Sequence, residues 1–368
     1  MSDTPGLYNN RSVGVVIPTY DRDDLLERCL EHLASQTLQS FRTIIIDNGT
    51  RNSIPAFLSR FDNLEWIPLF GNRGTAVAFN RGIAAATDCN LIFLLNNDAE
   101  LESECLSHLV QALEHDHTYS IAVPKLLRWS DPRYLDGVGD EILLGGGAYR
   151  VGNGELDVGQ YDVPRPVFSA CAAAALYRTS LFKDIGGFDE DFFAYREDVD
   201  LCLRAQLRRH RCIYVPTARA HHHGSATMGP AHSWVIRLST RNQIVAIVKS
   251  YPSPTLLRLF PQLLLFQILW AAFATHEGAL SAYGLGLIDV LKTLPGTLAK
   301  RRDIQSKRLL NSRSFLLLLG ESEWRIWMSH NGPYNPHPSR LLRAYFRFVR
   351  PRSRAGAAAH EESQTMRL

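Results

Sequence analysis

The chain has 368 residues, of which 45% are hydrophobic and 21% are charged, and this is the composition of an ordinary globular protein. The formal net charge of +3 excludes a strongly basic or acidic chain, so charge alone indicates no partner. The length predicts one large domain with an appendage, or two domains. Six scattered cysteines form no C-x-x-C pair, and the first dozen residues contain no apolar run, so we predict a cytosolic protein with reduced thiols and no signal peptide.

The first third of the chain predicts strands that alternate with helices, after a loose tail at 1–12. The predicted strands are 13–20 (VGVVIPTY), 42–49 (RTIIIDNG), 64–72 (LEWIPLFGN) and 90–98 (NLIFLLNND). The predicted helices are 23–37, a short helix from Ser53 to Phe61, 74–87 and 103–116. Near-continuous apolar strands in this alternation favour an α/β fold, with a mostly parallel sheet flanked by helices on both faces.

Polar residues follow each of the four predicted strands. They are Pro18-Thr19-Tyr20, Asp47-Asn48, Asn72-Arg73-Gly74 and Asn96-Asn97-Asp98. One such end is commonly a turn, and Asp98 is then no more than the place where an apolar strand leaves the core. Ligands in parallel sheets bind at the carboxyl ends of the strands. Four polar ends on one edge therefore favour a different interpretation, a ligand site in which Asp98 is a metal ligand.

The pattern changes after residue 120. Residues 121–129 (IAVPKLLRW) predict a further strand, and the small residues of 166–182 predict a buried segment. The stretch between them, 130–165, is rich in glycine, aspartate and proline and predicts a long loop. Such a loop is either a lid beside a site or a plain surface excursion.

A second group of carboxylates begins a predicted helix near Glu197. Asp198 lies in its first turn, where the helix dipole favours a carboxylate, and Asp200 and Arg204 have the spacing of an ion pair on an exposed face. Four aromatic residues precede this helix: Phe188, Phe192, Phe193 and Tyr195. Asp198 is therefore either a helix-end charge or, edged by aromatic rings, a candidate general base.

Three consecutive histidines at 221–223 cannot all face one metal from a strand, because neighbouring side chains alternate sides. No H-E-x-x-H motif or cysteine partner accompanies them, which disfavours a structural zinc site. Either one imidazole serves an active-site metal or phosphate, or the three form a solvated cluster.

Taken together, these motifs resemble those of the inverting glycosyltransferases of family 2, which have the nucleotide-sugar-binding GT-A fold. The matching stretches cover roughly residues 13–228: VVIPTYDR, IIIDNGT, GNRGTAVAFNRGI, FLLNNDAE, GGFDEDFFAYREDVDLCLRA and HHHGSAT. The NND and FFAYREDVD forms look most like the bacterial rhamnosyltransferase branch, which uses dTDP-L-rhamnose to build cell-envelope glycans.

The resemblance implies a role for each matching residue. The nucleotide-sugar-binding residues would be Pro18, Thr19, Tyr20, Asp47, Arg73, Asn80, Asn97 and Asp98. Asp47 would accept a hydrogen bond from the base, and Asp198 would be the catalytic base. Asp98 would be the last carboxylate of the D-x-D motif and, with His222 or one of its neighbours, would contact Mg²⁺ or Mn²⁺. Asn96 replaces the first aspartate of that motif, so diphosphate oxygens would complete the ligand set and metal dependence would be partial.

The C-terminal part, 231–350, predicts a helical region associated with a membrane, followed by a disordered tail at 351–368. Its apolar run 259–275 is at the short limit for a spanning helix, so it either spans or lies on the membrane. Four arginines recur at helical spacing with apolar residues between them: Arg340, Arg343, Arg347 and Arg350. They predict an interfacial helix on anionic lipid, or simply a solvated basic face.

The predicted enzyme, whose GT-A domain spans 13–230, moves a sugar from a nucleotide-sugar donor, best dTDP-L-rhamnose, to a glycan or lipid-linked acceptor with inversion. It would work on the cytoplasmic face of the plasma membrane, with a divalent metal, and an oligomer is compatible with the sequence. The rival readings are a transferase using another donor, such as galactofuranose or a hexose, and an inactive glycan-binding or scaffold relative. A pyrophosphorylase is disfavoured because PTYDRDD is not a glycine-rich basic loop, and nucleic-acid binding is disfavoured because the basic residues lie among apolar ones.

Overall fold

The computed structural model describes residues 13–51, 53–224, 233–336 and 338–351. The strands are β1 (Val13–Thr19), β2 (Phe41–Asp47), β3 (Leu64–Pro68), β4 (Leu91–Leu95), β5 (Ala99–Leu101), β6 (Tyr119–Arg128), β7 (Leu135–Gly137), β8 (Asp140–Ile142), β9 (Ala148–Arg150), β10 (Arg165–Val167), β11 (Ala174–Arg178) and β12 (Arg211–His222). The α-helices are α1 (Asp23–Ala34), α2 (Thr75–Ala85), α3 (Cys105–His115), α4 (Thr179–Ile185), α5 (Glu197–Leu207), α6 (Ser233–Ser250), α7 (Ser253–His276), α8 (Leu280–Lys307), α9 (Ser312–His330) and α10 (Arg340–Phe348). The predicted tail 1–12, and residues 352–368 of the predicted tail 351–368, lie outside the described residues.

The central sheet has the strand order β10-β12-β6-β11-β4-β1-β2-β3, with β5 beside β12 and β7 beside β6. β1 pairs in parallel with β2 and β4, and β2 with β3, so the carboxyl ends of the first four strands share one edge. β11 runs antiparallel between β4 and β6. The predicted α/β class is confirmed, and the complete sheet is mixed because the strands beyond β4 include antiparallel pairs.

Successive side chains of a strand point to opposite faces of the sheet, so the core is divided into two apolar layers. Val15 and Ile17 of β1 pack with α1 and α3, whereas Val16 packs with α2 and α5. Both faces of the strand are therefore covered, which explains its nearly continuous apolar sequence. The six cysteines are all buried and unpaired, as predicted.

The prediction that 130–165 forms an irregular loop is wrong. β7, β8 and β9 lie within it, and most of residues 135–147 are buried. Glu141 is fully buried and is paired with Arg325 of α9 and Arg165 of β10. Its glycines and aspartates reflect tight turns and buried ion pairs, so the segment is a packed insertion on the sheet.

The helices α6–α10 form the C-terminal region. Among the described residues, α7 is the one helix long and apolar enough to cross a membrane by length and composition, and only 11% of its most apolar window is buried. The predicted lipid-facing residues of α10 instead pack inward, because Leu342 and Tyr345 contact Leu143, Phe266 and Ile326. The apolar face of α10 is thus accounted for by contacts within the protein.

Candidate active site

Side-chain amides join the ends of β1 to β4. Asn48 Oδ1 accepts a hydrogen bond from the Arg73 backbone N–H (2.7 Å), and Asn48 Nδ2 donates to Asn72 Oδ1 (3.3 Å). Asn97 Nδ2 donates to Thr19 Oγ1 (3.1 Å). The four predicted strand ends therefore lie side by side and are held together by polar contacts.

Asp47 is the buried carboxylate of this edge, and Thr19 is its register partner on β1. Its Oδ1 accepts a hydrogen bond from the Gly49 N–H (2.9 Å), whereas its buried Oδ2 has no hydrogen-bond partner among the residues that the structure describes. Burial raises the pKa of this carboxyl, and the Gly49 bond offsets it only in part. An unsatisfied buried acceptor costs about 1–3 kcal/mol, so Oδ2 is suited to a ligand N–H. On either side of Thr19 in the sequence, Pro18 is half-buried and Tyr20 is exposed.

Asp98 follows β4 and is held by His222 at the end of β12. His222 Nε2 lies 3.4 Å from Asp98 Oδ1, and His222 Nδ1 donates to Asp136 Oδ2 (2.8 Å). Burial lowers the pKa of His222, but the two carboxylates outweigh it and raise the pKa to about 9. Burial likewise raises the pKa of Asp98, but the hydrogen bond and charge of His222 reverse this effect, so that the pKa of Asp98 is lowered.

The alternation of the three histidines resolves which one reaches the carboxylate after β4. His221 Nε2 lies 3.3 Å from Glu102 Oε1, and His223 Nε2 lies 3.3 Å from Glu100 Oε1. His222 points to the opposite side of the strand and is the one whose side chain lies in the site.

Arg150 on β9 connects this group to the second carboxylate site. Its Nη1 donates to Asp136 Oδ2 (2.7 Å), its Nη2 donates to Cys171 Sγ (2.7 Å), and its Nε lies 3.5 Å from Asp140 Oδ1. Ligand-type atoms of Asp140, Cys171 and Asp198 all lie within 4.8 Å of one another. A chain of neighbouring polar side chains therefore runs from the histidine site to Asp198.

Asp136, Asp140 and Arg150 were not among the predicted site residues, because they fall in the segment predicted as a loop. Their partners are remote in sequence, and no local pattern reveals such pairs. The available signal was a cluster of apolar residues in the first half of the segment, and four of them are buried: Leu135, Val138, Ile142 and Leu143. Apolar residues at that density are not typical of a solvated loop.

The segment before Asp198 is held in an unusual conformation by α6. Three of its residues have φ of 63°, 66° and 68°: Phe193, Tyr195 and Arg196. Such left-handed conformations cost a residue with a side chain on the order of 1–2 kcal/mol. Asn242 Nδ2 donates to three backbone carbonyls within 192–195, which stabilises this conformation. α6 thereby fixes where α5 begins and where Asp198 lies.

The Asp200–Arg204 pair is present, but the prediction that it lies on an exposed face is wrong. Arg204 Nε donates to Asp200 Oδ2 (3.0 Å), and Lys249 Nζ of α6 lies 2.8 Å from Asp200 Oδ1. None of the three side chains is more than 9% exposed. Because α6 covers this face of α5, the pair anchors the two helices to each other.

Asn80 bonds to a different part of the protein from the other candidate residues. Its Oδ1 accepts from the Phe188 N–H (2.7 Å), and its Nδ2 donates to Phe188 O and Glu190 Oε1 (both 2.9 Å). It thus joins α2 to the segment before α5. The side chain of Arg73 is exposed in the turn between β3 and α2. Nucleotide contacts of both residues stay predictions from the family resemblance.

The Asp98–His222–Asp136 arrangement fits a divalent metal. A histidine that binds a metal through one ring nitrogen commonly donates its other N–H to a carboxylate, as His222 does to Asp136. Asp98 Oδ1 and His222 Nε2 are then neighbouring ligand atoms, 3.4 Å apart. A carboxylate and an imidazole suit Mn²⁺ or Mg²⁺ when further oxygens complete the set.

The Asp140–Cys171–Asp198 group offers a second set of ligand atoms but fits a metal less well. The Arg150 guanidinium lies among these donors and already supplies positive charge. Burial also raises the pKa of the Cys171 thiol well above its ordinary value, which keeps the sulfur protonated.

Comparisons with known proteins agree with the geometry. Residues 14–186 match the family described as Glycosyl transferase family 2. The chain is 26% identical over 236 residues to an N-acetylglucosaminyl-diphospho-decaprenol L-rhamnosyltransferase of Mycobacterium tuberculosis, covering 58% of this chain and 77% of that protein. It is 24% identical over 247 residues to the rhamnosyltransferase WbbL of Escherichia coli, covering 62% of this chain and 91% of that protein. The crystal structure of GalNAc-T7 with UDP, GalNAc and Mn²⁺ superposes with a TM-score of 0.56 at 11% identity, over 78% of this chain and 57% of that chain, which shows a shared fold.

Proposed function

We propose that the protein, whose residues 14–186 match the family described as Glycosyl transferase family 2, transfers L-rhamnose from dTDP-L-rhamnose, with inversion, to a lipid-linked saccharide. The observation that carries the proposal is a chain of neighbouring polar side chains that starts at Asp98 and ends at Asp198. Its intermediate members are His222, Asp136, Arg150 and Asp140. It provides two separate carboxylates. Asp98 is suited to hold a metal beside the diphosphate leaving group, and Asp198 is suited to accept the proton of the acceptor hydroxyl. Both the mycobacterial and the Escherichia coli relatives are rhamnosyltransferases, which supports the choice of sugar, and the lipid-linked acceptor named for the mycobacterial relative supports the choice of acceptor.

The donor would bind at the common edge of β1 to β4. The buried, unpartnered Oδ2 of Asp47 would accept the base N–H, and Thr19 and Asn97 would line the same edge. Asp98 and His222 would hold Mg²⁺ or Mn²⁺, which when bound would neutralise the charge that develops on the departing diphosphate. Asp136 would keep the His222 ring in the orientation that directs Nε2 to this position.

Asp198 would accept the proton of the acceptor hydroxyl while that oxygen attacks the anomeric carbon. The new C–O bond would form on the face opposite the departing diphosphate oxygen, so the configuration inverts. The guanidinium groups of Arg150 and Arg196 lie close enough to Asp198 to interact with its carboxylate electrostatically.

A donor screen tests this proposal. Purified full chain is incubated with dTDP-L-rhamnose, UDP-sugars or GDP-sugars and a lipid-linked saccharide, with Mg²⁺, with Mn²⁺ or with EDTA. We expect metal-stimulated transfer from dTDP-L-rhamnose that exceeds transfer from every other donor. Transfer from another nucleotide sugar would replace the proposed donor. Consumption of no donor in any combination would instead indicate an inactive relative, the reading that Asn96 in place of the first D-x-D aspartate favours.

We also propose that α7 and α8 dock the protein on the cytoplasmic face of the plasma membrane. Exposed apolar residues recur along one face of each helix: Leu257, Phe260, Leu264 and Ile268 on α7, and Leu280, Leu287, Leu291 and Leu298 on α8. Neighbouring exposed stripes of this kind are typical of a surface that meets an apolar phase.

Vesicle flotation with phosphatidylglycerol-containing membranes tests the docking surface. The double variant Leu257→Glu/Phe260→Glu is expected to lower the vesicle-bound fraction at least about fivefold, because two exposed apolar contacts become charges. The matched control is Ile54→Glu/Val163→Glu, which alters two equally exposed apolar residues away from these helices. Wild-type protein that stays wholly in the soluble fraction without detergent would contradict the proposal.

A further inference from the structure

A cavity of about 510 Å³ lies between the turn from β8 to β9, the second half of α7, and α10. Most of its lining is apolar and includes Leu143, Phe266, Leu269, Trp270, Phe273 and Leu342. Cavities of about 300–1,000 Å³ with apolar walls and a few polar groups are typical of ligand sites. Apart from Arg196, no residue that lines it has a functional role assigned above.

One wall of the cavity is shared with the candidate active site. The β8–β9 hairpin carries Asp140 and Arg150 toward Asp198, and its turn, including Leu143 and Ala148, lines the cavity. Arg196, two residues before Asp198, also lines the cavity, and its Nη1 donates to Ala148 O (3.4 Å). A molecule that fills the cavity and extends past Arg196 therefore approaches the proposed base.

The charged residues around the cavity are mostly cationic. Arg196 and Arg340 line it, against the single carboxylate of Glu277. Apolar walls with guanidinium groups at the margin are complementary to a molecule that has an apolar tail and an anionic head. α7 supplies both a wall of this cavity and the exposed apolar stripe described above, so a tail can pass from the membrane surface into the cavity.

We propose that this cavity holds the head-proximal part of the apolar tail of the acceptor lipid, with its diphosphate at Arg196 and Arg340. This inference rests on the proposed function, since it names the part of the same acceptor that lies outside the sugar-binding site. The cavity volume accommodates only a segment of a long isoprenoid, so the remainder of the tail would stay along α7 and in the membrane.

The proposal is tested by measuring, with native mass spectrometry, the binding of decaprenyl diphosphate to the full chain in detergent. Ala272→Trp places an indole in the cavity and is expected to weaken binding about tenfold, because the tail loses its space. Ala299→Trp is the matched control, an exposed helical alanine on α8 that does not line the cavity. Ala344→Trp fills the cavity from α10 and should behave like Ala272→Trp, which guards against misfolding of either variant.

Two comparisons separate the cavity from other lipid contacts. Geranyl diphosphate has the same head and a short tail, and it should bind to the wild type more weakly than decaprenyl diphosphate does. The Ala272→Trp substitution should also reduce the affinity for geranyl diphosphate less than it reduces the affinity for decaprenyl diphosphate. Equal binding of decaprenyl diphosphate to all four proteins would overturn the proposal, as would a parallel loss of phosphatidylglycerol-vesicle binding in Ala272→Trp. Sugar transfer is measured separately: lipid binding without transfer from any donor would reject the proposed function, whereas transfer with unaltered lipid binding in Ala272→Trp would reject only this cavity.

Discussion

Asp198→Asn is expected to reduce turnover on the order of 10²–10⁴-fold, the range typical of a lost general base. The amide keeps the size of the carboxylate and can still accept the hydrogen bond from the Ala172 N–H, so the start of α5 should stay in place. It cannot accept the proton of the acceptor hydroxyl. Donor binding at the β1–β4 edge should change little, and the loss should therefore appear in kcat rather than in the KM for the donor.

Glu197 provides a matched control one residue away. It is buried, and burial together with the neighbouring charge of Asp198 raises its pKa to about 8, so at neutral pH it is mainly protonated. Glutamine closely resembles a protonated glutamate, and Glu197→Gln should therefore keep most of the turnover. Near-normal turnover of a folded Asp198→Asn variant, or a larger loss in Glu197→Gln, would reject Asp198 as the base.

Much of the fold was predictable because its first half follows local rules. Strands β1, β2 and β4 are mostly apolar, and the helices α1 and α3 carry one apolar stripe, so the parallel pairing of these strands could be inferred from the chain alone. The polar residues at their ends, Asp47 and Asp98 among them, lie where parallel pairing puts them. The spacing of apolar residues predicts a helix or strand wherever that element packs one face, or both faces, against the core.

The rest depended on contacts between remote segments. Asp136 meets His222 across 86 residues, and no pattern around Asp136 distinguishes it from an aspartate of a surface turn. Asp200 was expected to be exposed because its spacing to Arg204 is typical of a solvated helix, and only the approach of Lys249 on α6 buries the pair. α10 likewise has the sequence of an amphipathic surface helix, but its Tyr345 hydroxyl donates to Glu323 on α9 inside the protein.

Asp98→Ala is also expected to reduce turnover on the order of 10²–10⁴-fold, the range for loss of a group that stabilises developing charge. Asp98 is the only carboxylate in its Asn-Asn-Asp motif, so no neighbouring acid there can replace it. Removing it also takes away one of the two carboxylates that hold His222. The metal concentration for half-maximal activity should rise together with the fall in turnover.

Two companion variants distinguish a metal ligand from a merely structural aspartate. Asn96→Asp restores the first carboxylate of the motif, and because the Asn96 contact to Ala173 is through the backbone N–H, the strand should be undisturbed. It should lower the metal concentration for half-maximal activity, since a second anionic ligand strengthens binding of a hard cation. Asp136→Asn should cost about 10–100-fold in metal affinity or activity, as expected for a residue that orients a ligating histidine. If Asp98→Ala alters turnover while metal dependence is the same in all three variants, then Asp98 positions His222 and β12 without binding a metal.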